Sequence, residues 1–599
     1  MIVRMKKVTV IVRAPWKDEV LSVLGNFGVL HLRPVNPIES EKVEELKENT
    51  TVLRKALSLI PETFYKDEVP GSTLDKEGLP FARRLIESAA ELKQLETEIK
   101  ELDIECERIE VWGRFDPDDT KELKNKGLII QLFQGHEREL KKMAHPGFHI
   151  ISRRGSTLFI AAVSEKGLLN TPLQEIKMPS RGLTEIETLL EEKKGKLLNI
   201  KKRFLQLSKK GNCINKTLAR DRDILTYEEA RAGMGKEGNI SFLTGFCPEP
   251  EIKRLGEIAT EKQWGIVIED PSADDPVPTL VRYSKWTRLF RPVMDFLGVT
   301  PGYREFDTSG VFLIFFSIFF ALLIGDGGYG VVLLLMTFLL KKSYKSIPKE
   351  TISLFNLASM TTLLWGAVTG TWFGVEKISH LPLLENMVIP SLNSYTRENE
   401  GTIIHLCFLI GALQLSIAHV WTTLRVFPSL VAFAEIGWAI VVWGVYFIAR
   451  FLVLNEEMSP FGFFLPIIGM SMVVLFGEQK AGSLLKGMGR GFIGLPMNFL
   501  TGIGNLSDLI SYVRLFAVGL ATKEVAVAFN SMAMDIGFDS VFSVVLSVFV
   551  LIFGHTINLL LAAMAVLVHG VRLNLLEFSK HLNIQWTGIP FKPFKTLET

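Results

Sequence analysis

One arginine lies inside a long apolar run of this sequence. The run has no proline between Met497 and Gly537, and Arg514 falls in its stretch Ser-Asp-Leu-Ile-Ser-Tyr-Val-Arg-Leu-Phe-Ala-Val-Gly-Leu-Ala. A guanidinium keeps its proton at every accessible pH. Placing it at the centre of a bilayer costs roughly 3 kcal/mol on insertion scales. An arginine in such a place normally faces a water-filled cavity or an anionic partner.

Two hypotheses follow for Arg514. The carboxylates of the same run nearest to Arg514 are Asp508 and Glu524, which lie about 120° and 80° away around a helix. Arg514 is either a structural residue tied to a carbonyl or an internal carboxylate, or a fixed positive charge on an ion pathway. We favour the ion pathway, because neither carboxylate shares its face of the helix.

A second polar stripe follows in the last apolar run, residues 541–575. Asn558, Ala565, His569 and Arg572 lie within about 60° of one helix face. Three of these four are polar in an otherwise apolar helix. His569 and Arg572 could instead extend towards the membrane surface from the end of the helix. The stripe as a whole favours an ion pathway.

Composition separates the chain into two halves. Its 599 residues are 48% hydrophobic and 22% charged, with most of the charge before residue 300 and the apolar runs after it. A net charge of +2 gives no indication of nucleic-acid binding. The four cysteines have no metal-like spacing, so we expect free thiols, no metal and no cofactor.

The first half predicts a cytoplasmic arm. Residues 8–35 have the pattern of a β-α-β unit, and residues 240–269 that of a second α/β lobe. Between them, apolar residues recur every seven positions in two stretches, from Leu85 to Cys106 and from Leu183 to Phe204. Such rows predict an antiparallel coiled-coil pair, acting as a strut or as a self-contained helical hairpin. The N-terminus lacks the apolar core of a signal peptide, so we expect the arm to remain cytoplasmic.

The second half predicts about eight transmembrane helices. A turn at Gly325-Asp326-Gly327-Gly328 separates the first two. The expected spans are 308–324, 329–341, 351–375, 402–424, 429–453, 460–477, 497–535 and 541–575. The last two are 39 and 35 residues long, so they must tilt, project or break. The expected domains are therefore a cytoplasmic α/β and coiled-coil arm, 1–300, and an α-helical polytopic membrane domain, 301–599.

Charge placement supports this count. With a cytoplasmic N-terminus, eight spans give the cytoplasmic loops and tail most of the basic residues of this half. Those residues are Lys341, Lys342, Lys345, Lys349, Arg425, Lys480, Lys486, Arg490, Lys580, Lys592 and Lys595. We therefore expect a multi-pass protein of the cell membrane with a cytoplasmic C-terminus.

Several motifs resemble those of the a subunit, or subunit I, of V-type and archaeal-type rotary ATPases in its shorter bacterial and archaeal form. The resemblance covers nearly the whole chain. Its motifs are residues 5–10 (Met-Lys-Lys-Val-Thr-Val), 28–31 (Gly-Val-Leu-His), 324–330 (Ile-Gly-Asp-Gly-Gly-Tyr-Gly), 511–521, 577–578 (Glu-Phe) and 588–594 (Gly-Ile-Pro-Phe-Lys-Pro-Phe). The arginine motif and the tail are the specific ones.

The resemblance implies a stator that couples H⁺ or Na⁺ movement to ATP hydrolysis or synthesis. Its implied partners are a proteolipid c-ring, peripheral stalk subunits, a central stalk subunit and membrane lipid. The residues expected in ion translocation are Arg514, Arg572, His569, Asn558, Ser511 and Glu524. Thr522 stands where a histidine is often found in the eukaryotic relatives, and Ala562 stands where a glutamate is, which leaves the detailed ion route open.

Two other classes compete with this hypothesis. A secondary ion transporter with a cytoplasmic regulatory arm would have an inverted repeat and broken helices at the membrane midplane. A receptor with a signalling arm would need no central arginine. No phosphate-binding Gly-Lys-Ser/Thr loop occurs in the sequence, so we expect a non-catalytic subunit without an ATP site.

Overall fold

A computed structural model describes residues 1–64, 78–136, 147–165, 173–344, 347–479 and 484–595. Lys345 and Lys480, used above in the charge argument, lie outside these ranges. The chain forms two compact units. One consists of residues 1–7, 246–252 and 269–592, and the other of residues 8–245, 253–268 and 593–599.

The described strands form three sheets. The strands are β1 (Met5–Arg13), β2 (His31–Arg33), β3 (Ile129–His136), β4 (Phe148–Arg154), β5 (Thr157–Ser164), β6 (Gln174–Ile176), β7 (Gly235–Glu237), β8 (Ile240–Pro248), β9 (Gly265–Glu269), β10 (Pro278–Thr279) and β11 (Ile589–Pro590). The five-stranded sheet has the order β2-β8-β1-β9, with β7 on β8. The four-stranded sheet has the order β4-β5-β3-β6, and β10 pairs with β11 in parallel.

Seven helices among the described residues accompany the two larger sheets. They are α1 (Lys17–Phe27), α2 (Glu41–Ser58), α3 (Gly78–Glu110), α4 (Pro117–Asn125), α5 (Leu183–Ser208), α6 (Gly211–Ala232) and α7 (Ile252–Glu261). Helix α1 ends at Gly28, whose φ of 63° is the left-handed conformation that glycine adopts without steric cost. The predicted β-α-β order at the N-terminus is therefore present, but β8 and β9 of the predicted second lobe lie in the same sheet as β1 and β2, so residues 8–35 and 240–269 form one lobe and not two.

Helices α3 and α5 pack together as the heptads predict. Ile99 and Ile109 of α3 are buried against Ile186 and Leu190 of α5. Ion pairs cross the seam in antiparallel order: Arg114 lies 3.3 Å from Glu187, Lys194 3.3 Å from Asp103, and Lys201 3.0 Å from Glu96. Lys193, which interrupts one apolar row, pairs with Glu98. The antiparallel pair is therefore held by an apolar seam with charged edges.

The other unit is mainly helical. Its α-helices are α8 (Arg291–Leu297), α9 (Ser309–Ile324), α10 (Gly327–Ser343), α11 (Lys349–Thr369), α12 (Glu376–Ser379), α13 (Pro382–Glu385), α14 (Glu400–Val426), α15 (Val431–Leu454), α16 (Pro460–Phe476), α17 (Leu484–Ile493), α18 (Leu495–Ile510), α19 (Val513–Ile536), α20 (Val541–Ala565) and α21 (Ser579–His581). The segments Val566–Gly570 and Leu573–Phe578, between α20 and α21, are π-helical. Residues 541–581 form one 41-residue helical stretch, which we call the final helix.

Four helical stretches among the described residues are long and apolar enough to cross a membrane: α11, residues 397–426, α15 and the final helix. A fifth candidate is the pair α9 and α10, which together pass the same test of length and composition. Helix α16 is apolar but has only 17 residues. The structure thus contains four or five candidate spans by these criteria, and the count of eight stays a proposal.

The chain turns through 119° between α9 and α10. The turn follows from Gly325, which has a φ of 69°, and from Asp326, whose carboxylate caps the N-terminus of α10. The predicted break in this apolar run is therefore present. Helix α9 lies in the centre of the core, where Phe312, Phe319 and Leu323 are fully buried.

Candidate functional site

The run that carries Arg514 is not one uninterrupted helix. Helix α18 ends at Ile510 and α19 begins at Val513. Around the step the N–H of Arg514 donates to the carbonyl of Ser511 at 3.3 Å and the N–H of Leu515 to that of Tyr512 at 3.0 Å, which is the tighter 3₁₀ spacing. Of the three predicted possibilities for this 39-residue run, namely tilting, projecting or breaking, the structure shows a break at this point, and Arg514 lies in the first turn of α19.

Two side chains account for this step. The hydroxyl of Ser511 donates to the carbonyl of Ser507 at 2.9 Å, a back-bond that often bends a helix. Tyr512 is fully buried, and its hydroxyl donates to the Oε1 of Gln414 at 2.7 Å. Gln414 in turn donates from its Nε2 to the Oδ1 of Asn574 at 2.8 Å. Helix α14 and the final helix therefore fix the backbone two residues before Arg514.

Arg514 has an incompletely paired guanidinium. Its Nη1 is buried and has no hydrogen-bond partner among the described residues. The positive charge of Arg514 acts on His569 and on Glu577 of the final helix. Arg572, which is half-exposed, places its Nε 3.5 Å from the Oε1 of Glu577. Two guanidinium groups, one imidazole and one buried carboxylate thus converge where α19 meets the final helix.

The final helix is irregular at this place. His569 lies in the first π-helical segment and Glu577 in the second, with Arg572 between them. The Nδ1 of His569 and the Oε2 of Glu577 are buried without a hydrogen-bond partner in the described part of the chain. π-Helical turns inside α-helices are frequent at functional sites. The step between α18 and α19 and the π-helical segments of the final helix therefore lie where Arg514, His569 and Glu577 have unpaired polar atoms among the described residues.

A polar network, which we call the Tyr329 cluster, consists of Tyr329, Thr522, Asn530, His555 and Asn558. The Nδ2 of Asn558 donates to the hydroxyl of Tyr329 at 2.9 Å and to the carbonyl of Thr522 at 2.7 Å. The same hydroxyl lies 2.8 Å from the Nδ1 of His555, whose Nε2 lies 3.1 Å from the Oδ1 of Asn530. Two members of the cluster lie on α19. Thr522 is 8 residues and Asn530 is 16 residues beyond Arg514, about 12 and 24 Å along the helix axis.

Asp326 positions the tyrosine of this cluster. Its buried carboxylate accepts the backbone N–H groups of Gly328, Tyr329, Phe373 and Gly374, at 2.8 to 3.2 Å. A buried carboxylate needs such a set of donors, because an unpaired one would be strongly destabilising. Asp326 therefore joins the start of α10 to the loop after α11.

A small cavity of about 40 Å³ lies beside α19 on the same side as the Tyr329 cluster. Several of its lining residues are polar: Thr371, Ser394, Thr396, Glu400 and Lys523. A space of this size that is lined partly by polar groups can hold one or a few water molecules. The region beyond Arg514 is therefore suited to hydration within an otherwise apolar unit.

A second polar network, which we call the His419 chain, lies in the opposite direction from Arg514. The Oδ2 of Asp508 is 3.3 Å from the Nε2 of His581, and the Nδ1 of His581 is 2.9 Å from the Nε2 of His419. The Nδ1 of His419 is 2.9 Å from the Oε2 of Glu435. Asp508 precedes Arg514 by six residues, about 9 Å along the helix axis.

The sequence-predicted residues divide into three groups. Arg514, His569 and Arg572 come together, with Ser511 three residues before Arg514 and engaged with its own helix. Asn558 belongs to the Tyr329 cluster. Glu524 is exposed and pairs with its neighbour Lys523 at 2.8 Å, so the structure does not bring it to Arg514.

Sequence reasoning named Glu577 only as part of a motif, without a role, and it missed His419, Glu435 and His581. Asp508 was considered only as a partner for Arg514, whereas the structure pairs it with Lys580, at 2.7 Å, and with His581. A signal was available for His419 and Glu435, because each is an ionisable residue inside a predicted apolar span. Thr522 and Ala562 are the two departures from the eukaryotic pattern. The carbonyl of Thr522 accepts a hydrogen bond from Asn558, and Ala562 is buried.

Comparisons with known proteins show what the chain is similar to. The model of the V-type ATPase 116kDa subunit family matches residues 170–363. The V-type ATP synthase subunit I of Borreliella burgdorferi is 29% identical over 622 residues, covering all of both chains. Subunit I 1 of the V-type ATP synthase of Treponema pallidum is 28% identical, covering 99% of this chain and all of the relative.

Two further matches are more distant. The A-type ATP synthase subunit I of Methanocaldococcus jannaschii is 24% identical, covering 70% of this chain and 64% of the relative. The crystal structure of a cytoplasmic N-terminal domain of subunit I, homologous to subunit a of V-ATPase, matches with 18% identity and a TM-score of 0.21, covering 44% of this chain and 99% of that domain. The chain is thus similar over its full length to V-type ATP synthase subunit I, and over part of its length to A-type ATP synthase subunit I.

Proposed function

We propose that this protein is the membrane stator of its rotary ATPase, and that it forms two ion half-channels against a ring of proteolipid subunits. The observation that carries the proposal is the place of Arg514 between two separate polar networks. The Tyr329 cluster lies on one side of it and the His419 chain on the other. Ion movement through these half-channels is coupled to ATP hydrolysis or synthesis elsewhere in the complex.

Arg514 supplies the charge that such a stator needs. A ring carboxylate that faces lipid is stable only when it is neutral, either protonated or bound to a cation. Beside Arg514 its charged form is favoured, so the carboxylate releases its ion there. Arg514 also opposes the direct passage of a cation between the two networks, because like charges repel strongly in a low dielectric.

The surface of the final helix is suited to a partner within the membrane. Large apolar side chains lie exposed along it, among them Phe542, Phe549, Ile552, Leu560 and Leu561. An exposed apolar surface of this length is covered by lipid or by other apolar helices. We assign it to the proteolipid ring and the surrounding lipid.

The remaining features are assigned in keeping with this role. The α3–α5 pair is the arm that binds the peripheral stalk subunits, and the central stalk turns with the ring. The protein crosses the membrane eight times, with the arm and the C-terminus in the cytoplasm. It contributes no ATP site and acts as a non-catalytic subunit. The alternative of a secondary transporter has no support among the relatives, which are named as subunits of ATP synthases.

The test is ATP-driven ion pumping by the whole complex in sealed vesicles, with Arg514→Ala as the variant. Removing a cation from the membrane interior lowers the cost of insertion by roughly 3 kcal/mol, and Arg572 remains to pair with Glu577, so the protein should insert and assemble. Pumping should be lost, because the ring carboxylate is no longer driven to release its ion. Normal pumping by an assembled Arg514→Ala complex would refute the stator role. Loss of assembly would instead indicate a structural arginine, since removing one partner of a buried pair is strongly destabilising.

A further inference from the structure

Four ionisable side chains from four different helical segments form the His419 chain. Asp508 comes from α18, His581 from α21, His419 from α14 and Glu435 from α15. The successive atoms are 3.3, 2.9 and 2.9 Å apart. Both imidazoles are buried, while the carboxylates at the two ends are partly exposed, with 16% and 17% of their side-chain surface accessible. The chain therefore runs from one partly accessible carboxylate to another through a buried centre.

Two imidazoles in direct contact are an unusual choice for a purely structural bond. A neutral imidazole carries one N–H and one bare nitrogen, so each ring can accept a proton at one nitrogen and release another from the opposite one. In the His419 chain both nitrogens of His419 face another ionisable group, and so do both nitrogens of His581. Every link is thus a possible proton donor–acceptor pair.

The charged and titratable groups around the chain are concentrated at its Asp508 end. The Nζ of Lys580 lies 2.7 Å from the Oδ2 of Asp508 and also acts on His581. Glu577 and Tyr512 interact electrostatically with Asp508. At the other end, His419 faces Glu435 and His581. The lysine favours an ionised Asp508, which is then ready to accept a proton.

We propose that the His419 chain conducts protons, and that the ion handled by this subunit is H⁺ rather than Na⁺; the proposal rests on the stator function above. A proton reaching Asp508 passes to the Nε2 of His581, which releases its Nδ1 proton to the Nε2 of His419. His419 then releases its Nδ1 proton to the carboxylate of Glu435, which gives it to water. Each group gains and loses one proton, and the two rings return to their first tautomers by reorientation.

The same geometry is unsuited to a metal cation. Nitrogen atoms 2.9 Å apart leave no room for an ion between them. Hard cations are bound by oxygen ligands at several points around the ion, whereas the centre of the His419 chain offers only imidazole nitrogens. A proton needs no cavity, because two of the links are hydrogen bonds and the third, between the Nε2 of His581 and Asp508, is an ion-pair contact of 3.3 Å that a small movement converts into one.

The location fits a route that ends near the membrane surface. Glu435 is the fifth residue of α15, and His419 is seven residues before the end of α14. Both therefore lie within about 11 Å of the loop at 427–430, measured along their helices. The basic-residue distribution assigns that loop to the cytoplasmic side. The His419 chain is thus the cytoplasmic half of the proton route.

The experiment uses the whole complex in sealed inverted vesicles, with a pH-sensitive dye and, separately, radiolabelled sodium. The wild-type complex should acidify the vesicles on addition of ATP in sodium-free buffer and should accumulate no sodium. Variants His419→Gln and His581→Gln should lower acidification about tenfold or more, since each removes a group that both accepts and donates protons. The matched control is His405→Gln, a histidine of α14 that contacts the hydroxyl of Tyr446 and lies outside the chain. It should acidify as the wild type does.

The outcomes separate this inference from the proposed function. ATP-driven sodium uptake by the wild type, or acidification by both glutamine variants at the control rate, would overturn the proton conduit. If the Arg514→Ala complex also fails to pump, the proposed stator role stands even though the proton conduit is refuted. Where a histidine variant does not assemble, Glu435→Gln at the less buried end takes its place, with the same loss expected and the same overturning result. Acidification by Arg514→Ala would instead contradict the stator role.

Discussion

The Nε of Arg572 lies 3.5 Å from the Oε1 of Glu577, and the same carboxylate interacts with the charge of Arg514. Glu577 is buried, and its Oε2 has no hydrogen-bond partner among the described residues. One carboxylate therefore offsets part of the positive charge of two guanidinium groups. The distance between Glu577 and Arg514 decides how much of the positive charge of Arg514 remains available to a partner in another subunit.

Replacing Glu577 with Gln should lower ATP-driven pumping several-fold while the complex still assembles. Without the carboxylate, Arg514 holds an ionised ring carboxylate more strongly, so reloading of the ring slows. The measurement is pumping into sealed vesicles, normalised to the amount of assembled complex. Asp535→Asn is the control, because Asp535 is an exposed carboxylate at the far end of α19. Equal rates in the two variants would show that Glu577 does not tune Arg514.

The sequence predicts local features of this fold well and tertiary ones poorly. The α3–α5 seam and the turn at Gly325–Asp326 follow from heptad spacing and from glycine and cap chemistry, which act between near neighbours. The step between α18 and α19 does not follow from such local patterns, because it depends on the hydrogen bond between Tyr512 and Gln414, which are 98 residues apart.

The His419 chain could not be predicted for a similar reason. Its four members lie on four segments, and periodicity along one helix does not tell which residue of another helix it meets. Sequence spacing did identify the polar stripe of the final helix, of which His569 and Arg572 lie beside the charge of Arg514. What the stripe does not reveal is Glu577, whose role depends on the π-helical geometry around it.

Cys247 should resist thiol reagents in the folded protein. Burial raises the pKa of this thiol to about 12, with a smaller contribution from the negative charge of Glu251. At pH 8 the reactive thiolate should therefore be about 10³-fold scarcer than for an ordinary cysteine, whose pKa is about 8.5. Maleimide labelling followed by mass spectrometry measures this, with Lys253→Cys on the exposed side of α7 as the comparison. Rapid labelling of Cys247 without denaturant would contradict its buried position in β8.

The α3–α5 pair should be sensitive to charge only on its buried side. Ile186 is fully buried in the seam, so Ile186→Asp should destabilise the pair by about 3 kcal/mol or more. Leu198, on the same helix, is 56% exposed, and Leu198→Asp should change stability by no more than about 0.5 kcal/mol. Hydrogen exchange of the full-length protein would report faster exchange in α3 and α5 for the first variant only. We also expect that variant to lose attachment of the ATPase sector, and normal coupling would contradict the arm's proposed role.

The proposed eight-span topology can be tested with two single cysteines. Arg397→Cys lies just before α14 and Lys486→Cys lies in α17, both at exposed positions. The basic-residue distribution places position 486 on the cytoplasmic side and position 397 on the opposite side. In a background without native cysteines, an impermeant maleimide should label the two from opposite sides of the membrane. Labelling of both from one side would rule out this topology.

Arg514→Lys is the most demanding test of the stator charge, because it keeps a cation at the same position. A guanidinium is planar, remains protonated and presents several donors to a carboxylate, whereas an ammonium is compact, strongly hydrated and able to lose its proton when desolvated. Desolvated against the apolar surface of the ring, the lysine would either neutralise or withdraw towards water. We therefore expect pumping close to that of Arg514→Ala, with normal assembly. Arg450→Lys is the control, since Arg450 pairs with Glu456 near the end of α15 and lies outside both polar networks. Pumping by Arg514→Lys at the rate of this control would show that a positive charge alone suffices at position 514.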